Sequence, residues 1–131
     1  MQDHRQLEIW QRAMDYTVRN YEFTANLPQD ERYNLTAQLR RAATSVPLNI
    51  AEGAGCASDA EFARFLGYAY RSLKEVVTCL ELCERLYHMV PSRESLKVLI
   101  DEGDQIARMT YALGRRIAPD GPGWIGSAAE F

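Results

Sequence analysis

Histidine is nearly missing from this sequence: His4 and His88 are the only two in 131 residues. The scarcity argues against Ser-His-Asp and Cys-His catalysis, in which an imidazole takes the nucleophile's proton. It also argues against a di-iron bundle, which draws a Glu-x-x-His pair from each of two helices; Glu84 precedes His88 by four positions, not three. Cysteine is scarce and odd in number, with Cys56, Cys79 and Cys83 read as reduced thiols. Cys79 and Cys83 lie one helical turn apart and are expected in the core; ligation of a soft metal is the alternative, but no CxxC or nearby histidine completes a tetrahedral set. No apolar run approaches the roughly 18 residues of a membrane span, and the first residues lack a basic-then-apolar leader pattern, so a cytoplasmic location is expected. Basic charge is not in excess: 15 Lys and Arg stand against 18 Asp and Glu, a net of −3. Any contact with nucleic acid must therefore use a local patch. Gly53-Ala54-Gly55 lacks the lysine of a phosphate loop and follows a helical pattern instead of preceding one. These absences lead to the expectation of no catalytic residues, no metal and no cofactor.

What the chain does have is apolar content, 47% hydrophobic, enough for the core of one domain. Strand patterns are almost absent, and apolar residues recur at three- and four-residue steps up to Ile117. In the first segment Leu7, Trp10, Met14, Thr17 and Tyr21 form the expected core stripe, with charges of alternating sign opposite. Leu27-Pro28 stops this helix, and Asp30 or Asn34 can cap the next. A third helix opens at the capping box Ser58-Asp59-Ala60-Glu61. Its long apolar line is Phe62, Leu66, Ala69, Leu73, Val76, Leu80, Cys83 and Tyr87, widened by Phe65, Val77 and Leu86. Pro91-Ser92 ends it and caps a fourth helix with Leu96, Leu99, Gly103, Ile106, Thr110, Leu113 and Ile117, in which Gly103 and Thr110 are weak points. The expected fold is an all-α, antiparallel up-down-up-down four-helix bundle over residues 1–118, with an irregular tail over 119–131 on which Trp124 or Phe131 can dock.

The second helix differs from the others. From Asn34 to Glu52 only Arg40, Arg41 and Glu52 are charged among nineteen residues. Leu35, Leu39, Ala42, Val46 and Ile50 make its core stripe, yet the opposite side carries Ala37, Thr44, Leu48 and Ala51. A helix apolar most of the way round is buried most of the way round, by a second subunit or by the tail. Pro47 sits inside it, lacks the N–H that would bond the Ala43 carbonyl, and predicts a kink. Gln38, Arg41, Ser45, Asn49 and Glu52 form a flanking polar stripe that either reads a ligand or satisfies the freed carbonyl, the helix ends and a subunit contact. A small-molecule pocket at the kink, anchored by Asn49 and Glu52, is one alternative; a purely structural oligomer is another.

Trp10-Gln11-Arg12-Ala13, Gln38-Leu39-Arg40-Arg41-Ala42-Ala43, Ser45-Val46-Pro47-Leu48-Asn49-Ile50-Ala51-Glu52-Gly53, Phe62-Ala63-Arg64-Phe65-Leu66 and Ser72-Leu73-Lys74-Glu75 occur in that order. With these blocks the chain resembles, over residues 7–117, the four-helix bundle proteins often encoded in intervening sequences of bacterial 23S rRNA genes. The resemblance implies a homopentameric ring. It also implies distant kinship with accessory proteins of diversity-generating retroelements, which bind nucleic acid and a reverse transcriptase, so RNA, DNA or a nucleic-acid enzyme are the expected partners besides self. Cys56 stands where a basic residue is usual, and Arg71 where a glycine is common. Arg40, Arg41, Arg64, Arg71 and Lys74 on the second and third helices are the candidate phosphate contacts, multiplied around a ring; Glu52, Glu61 and Glu75 are the neighbours that can instead pair with them.

Overall fold

In the computed structural model residues 2–87 and 93–120 are described, with side chains in the fourth helix from Ser95 onward. They form four α-helices, α1 (Glu8–Thr24), α2 (Leu35–Ala54), α3 (Asp59–Leu86) and α4 (Arg93–Ile117), with short 3-10 turns at His4–Gln6 and Gln29–Glu31. Among the described residues there is no strand. The fully buried side chains Leu39, Ile50, Leu66, Leu73, Leu80, Leu96 and Ile106 come from α2, α3 and α4, while α1 adds Ala13 and Tyr16. Each such Leu or Ile contributes about 1.5–3 kcal/mol relative to exposure.

Pairs between helices run in opposite chain order. Thr17 meets Ala43 where α1 crosses α2, and Thr24 meets Arg40 further along α1 but earlier in α2. Ser45 meets Ser72, while Gly53 packs on Phe62 and Phe65. Arg12 reaches Gln105 and Met109, while Tyr16 reaches Leu99. Two glycines permit the closest approaches. A Cβ on Gly53 would lie 2.8 Å from Phe65 Cβ, and one on Gly103 would lie 2.7 Å from Val77 Cγ2 and run into the Tyr16 hydroxyl. Gly103 is therefore no weak point in the stripe: it is where α4 fits against α1 and α3.

The ends show which signals hold. Ser58 Oγ accepts from the Glu61 N–H at 3.1 Å, as the sequence pattern predicts, but the Glu61 carboxylate turns to Arg64 at 2.9 Å. Asn34 occupies the cap position of α2 without capping it; its amide donates to Glu31 Oε1 at 3.2 Å. The Glu31 carboxylate also takes the Tyr87 hydroxyl, tying the α1–α2 connection to the end of α3. α4 ends at Ile117, as expected, and Ala118 packs on Ala63. Pro91-Ser92, His88 and Gly121–Phe131, with Trp124 and Phe131, lie outside the described residues.

Three apolar positions depart from the core reading. Met14 and Tyr21 on α1 are 42% and 39% exposed, and Leu86 on α3 is also exposed. On α1 the buried line is Ile9, Ala13, Tyr16, Asn20 and Phe23, which rotates the core face away from Met14 and Tyr21. Asn20, a polar residue, takes the interior position instead and donates its amide to the Tyr16 carbonyl at 2.9 Å. Its Oδ1 has no partner among the described residues.

Candidate functional site

The features singled out in the sequence fall on α2 and the facing part of α3. α2 continues through Pro47 without leaving the helix, and Pro47 is buried. Proline at this position deprives the Ala43 carbonyl of its intrahelical donor. The group that meets this carbonyl comes from α1: Thr17 Oγ1 lies 3.1 Å from it, as well as 2.7 Å from its own Ala13 carbonyl. The expected satisfaction of the freed carbonyl by the polar stripe of α2 is thus corrected. Thr17 was legible as an interior position, but its partner follows only from the register of α1 against α2.

The polar stripe itself divides. Ser45 and Ser72 share a hydrogen bond of 2.8 Å, and the Asn49 amide donates to the Ser45 carbonyl at 2.8 Å and to Ser45 Oγ at 2.9 Å. This makes a polar seam between α2 and α3. Gln38, Arg41 and Glu52 are exposed, and the Glu52 carbonyl receives the Cys56 thiol at 3.4 Å. Ala51 is half-buried and Gly53 buried against Phe62.

The five candidate cations are not equivalent. Arg40 is half-buried; its Nε donates to Thr24 Oγ1 at 2.8 Å, Nη2 reaches the Tyr21 carbonyl at 3.4 Å, and the guanidinium covers the Tyr21 ring at 4.5 Å. It satisfies the C-terminal end of α1, where a cation also complements the helix dipole. Arg64 is held by Glu61 and Tyr68, both at 2.9 Å. Lys74 lies 5.5 Å from the Tyr70 ring centre. Arg41 and Arg71 are exposed, and among the described residues neither has a polar partner. Of the acids weighed against them, among the described residues only Glu61 pairs with an arginine of this set.

A different charge network went unread in the sequence. Glu102 on α4, with a side chain 16% exposed, receives both Arg12 and Arg19 from α1. Arg12 adds Gln105 and the Met109 sulfur. The alternating charges of α1 stand opposite the core stripe expected from the sequence, yet this edge of the helix faces α4. Beside it Tyr16 donates to the Leu99 carbonyl at 2.9 Å, and burial holds its hydroxyl far above the usual tyrosine range.

Among the described residues chemistry is not concentrated at any one place. Among the described residues no group of three His, Cys, Asp or Glu side chains is placed to hold a metal ion. Cys79 and Cys83 are buried; burial pushes both thiols up, Cys83 to about 11, so neither is a ready thiolate. A cleft of about 520 Å3 opens between α1 and α4 along Arg19, Phe23, Val98 and Leu99, away from Pro47, Asn49 and Glu52. No described helix is long and apolar enough to cross a membrane.

The outer face of the α1–α2 hairpin carries a further feature. Met14, Val18 and Tyr21 are spaced by four and three on α1, and Val18 is 56% exposed. On α2, Leu48 is 66% exposed within the line Ala37, Thr44, Leu48 and Ala51. Buried Thr24 and half-buried Thr17 set α2 on the flank of α1 that also carries Met14 and Tyr21, so the exposed apolar residues of both helices share one side of the bundle.

Comparison with known proteins agrees with this architecture. The crystal structure of a protein with unknown function from the S23 ribosomal protein family of Bacteroides thetaiotaomicron superposes with a TM-score of 0.71, covering 82% of this chain and 98% of that one at 23% identity, a likeness of fold. No curated protein matches the chain. The family model described as 23S rRNA-intervening sequence protein matches residues 5–112, the four helices nearly entire. The chain belongs to the 23S rRNA-intervening sequence protein family.

Proposed function

We propose that this protein is a non-enzymatic scaffold that self-associates through the outer face of α1 and α2 and presents basic side chains to a nucleic acid or to a nucleic-acid enzyme. The observation that carries the reading is the exposed apolar side formed by Met14, Val18, Tyr21 and Leu48. Large apolar side chains exposed on one side of a protein mark association sites. A closed ring, a pentamer by family resemblance, repeats each exposed cation around its axis, so Arg41 and Arg71 gain weight that a monomer with net charge −3 does not give them. The cytoplasm is the compartment in which such partners are met. The pocket reading at Pro47 is less favoured, because the Asn49 amide N–H is spent on Ser45 and the Ser45 hydroxyl is engaged with Asn49 and Ser72.

Sedimentation of Leu48→Asp and Ala51→Arg beside the parent tests the assembly, with smaller species and unchanged helical content expected. Unchanged sedimentation of both variants refutes the assigned face. Binding of structured RNA and duplex DNA across a salt series, with Arg41→Ala/Arg71→Ala as the variant, tests the partner. Affinity that falls steeply with salt and weakens in the variant supports phosphate contact; no binding at low salt leaves a structural or protein-binding role. Arg40→Ala is unsuited to this assay, since it also uncaps α1.

A further inference from the structure

We propose that the face on which α3 and α4 meet, from Arg64 to Lys74 and from Arg108 to Arg115, seats a single-stranded nucleic acid, an assignment that rests on the nucleic-acid reading above. Phosphates lie against the cations and a base against Tyr70 and Tyr111. Charge is sorted along the chain: residues 62–74 and 105–119 hold Arg64, Arg71, Lys74, Arg108, Arg115 and Arg116, while all 18 Asp and Glu lie outside both stretches. The fold brings the two stretches together. Ala63 packs with Ala118, and the Tyr70 and Tyr111 rings meet with their centroids 6.1 Å apart. A chain with net charge −3 thus clears its acids from one side of the bundle, as a local contact with a polyanion requires.

On α4, Arg108 and Arg115 stand three residues before Tyr111 and four after it, and so share its flank of the helix. On α3, Lys74 lies four residues past Tyr70 with its Nζ 5.5 Å from the ring centre, and Arg71 and Arg64 continue the patch on the outer side. Arg116 turns instead toward Leu7 and Glu8 at the start of α1. Arg64 is shared with Glu61, and Glu75 and Asp104 bound the patch at its other end. The helix dipole accounts for Arg115 near the C-terminal end of α4, but not for Arg71, Lys74 and Arg108 in mid-helix. From Arg64 to Lys74 the cations extend about 15 Å along α3, which spans about four phosphates of one strand. Half-buried tyrosines among cations suit a strand whose bases are free to stack, whereas the bases of a duplex are already stacked on one another. The apolar face proposed for self-association lies on α1 and α2, on the opposite side of the bundle, so assembly leaves this face open.

The test follows binding of a labelled single-stranded oligoribonucleotide, and of the matching duplex, to the full chain by fluorescence anisotropy across a salt series. The single strand is expected to bind more tightly. Arg108→Ala/Arg115→Ala, made at exposed positions, is expected to weaken it at least about tenfold at low salt and to flatten the plot of log affinity against log salt by about 0.7 for each charge removed. Arg32→Ala/Arg85→Ala removes the same charge where the α1–α2 connection meets the end of α3, and is expected to leave both quantities as in the parent. A strand carrying 5-iodouridine, photocrosslinked to the parent, is expected on peptides containing Tyr70 or Tyr111. Equal losses in the two double variants overturn the assigned face while the nucleic-acid reading stands. So do crosslinks confined to other peptides, and tighter binding of the duplex overturns the single-strand assignment. No binding of either probe by the parent at low salt refutes the nucleic-acid reading itself, and this site with it.

Discussion

Replacing Thr17 by valine keeps the shape of the side chain and removes the hydroxyl that lies 3.1 Å from the Ala43 carbonyl. Ala43 is 1% exposed, and Pro47 has no N–H to offer its carbonyl, so the substitution leaves a buried acceptor without a donor. That costs about 1–3 kcal/mol. The hydroxyl's other neighbour, the Ala13 carbonyl, already receives the Thr17 backbone N–H within α1 and contributes little to the loss. The discriminating background is Pro47→Ala, which restores an N–H to the Ala43 carbonyl. In that background Thr17→Val is expected to cost only a few tenths of a kcal/mol, giving a coupling of about 1 kcal/mol or more across the double-mutant cycle. The assay is urea unfolding followed by far-UV circular dichroism at one fixed protein concentration, since self-association makes apparent stability concentration-dependent. An equal cost of Thr17→Val in both backgrounds refutes the reasoning, because the hydroxyl would then be serving Ala13 alone.

Gly103→Ala gains up to about 1 kcal/mol of helix propensity, yet its methyl would meet Val77 Cγ2 at 2.7 Å and the Tyr16 hydroxyl; a net destabilisation of about 1–3 kcal/mol is expected in thermal melts, and a stabilised variant would show that α4 can shift. The Tyr87–Glu31 hydrogen bond lowers the Glu31 carboxyl and raises the Tyr87 hydroxyl. The lowered acid contributes stability that is present above its unfolded pKa and lost as pH falls through the folded one. The raised phenol contributes stability that is present below its unfolded pKa and lost as pH rises through the folded one. Tyr87→Phe is therefore expected to flatten both limbs of a stability-against-pH profile, and an unchanged profile counts against the contact. Of the three thiols, only half-buried Cys56 is expected to react with a disulfide reagent at neutral pH in the folded protein, Cys79 and Cys83 following at the rate of unfolding; three fast thiols would contradict the packing of α3.

The sequence by itself determined the helices, most of their interior stripes and the family. Three- and four-residue spacing is a local property of the chain, which is why Leu35, Leu39, Ala42, Val46 and Ile50 were readable as the buried line of α2. The same spacing cannot fix the rotation of a helix to better than one residue's arc when it is apolar on more than one side. Met14 and Tyr21 were therefore read inward on α1, where the structure buries Ala13, Tyr16 and Asn20. Only the tertiary structure decided which polar groups are spent on packing. Arg40 closes the end of α1, Thr17 reaches the carbonyl freed by Pro47, and Glu102 gathers Arg12 and Arg19. Each of these pairs joins different helices, and its register depends on how two helices slide and turn against each other, a quantity no local pattern carries. Arg41 and Arg71 were separated from Arg40 and Arg64 by the same means: residue type made all four candidates, and only neighbours in space showed which were already engaged.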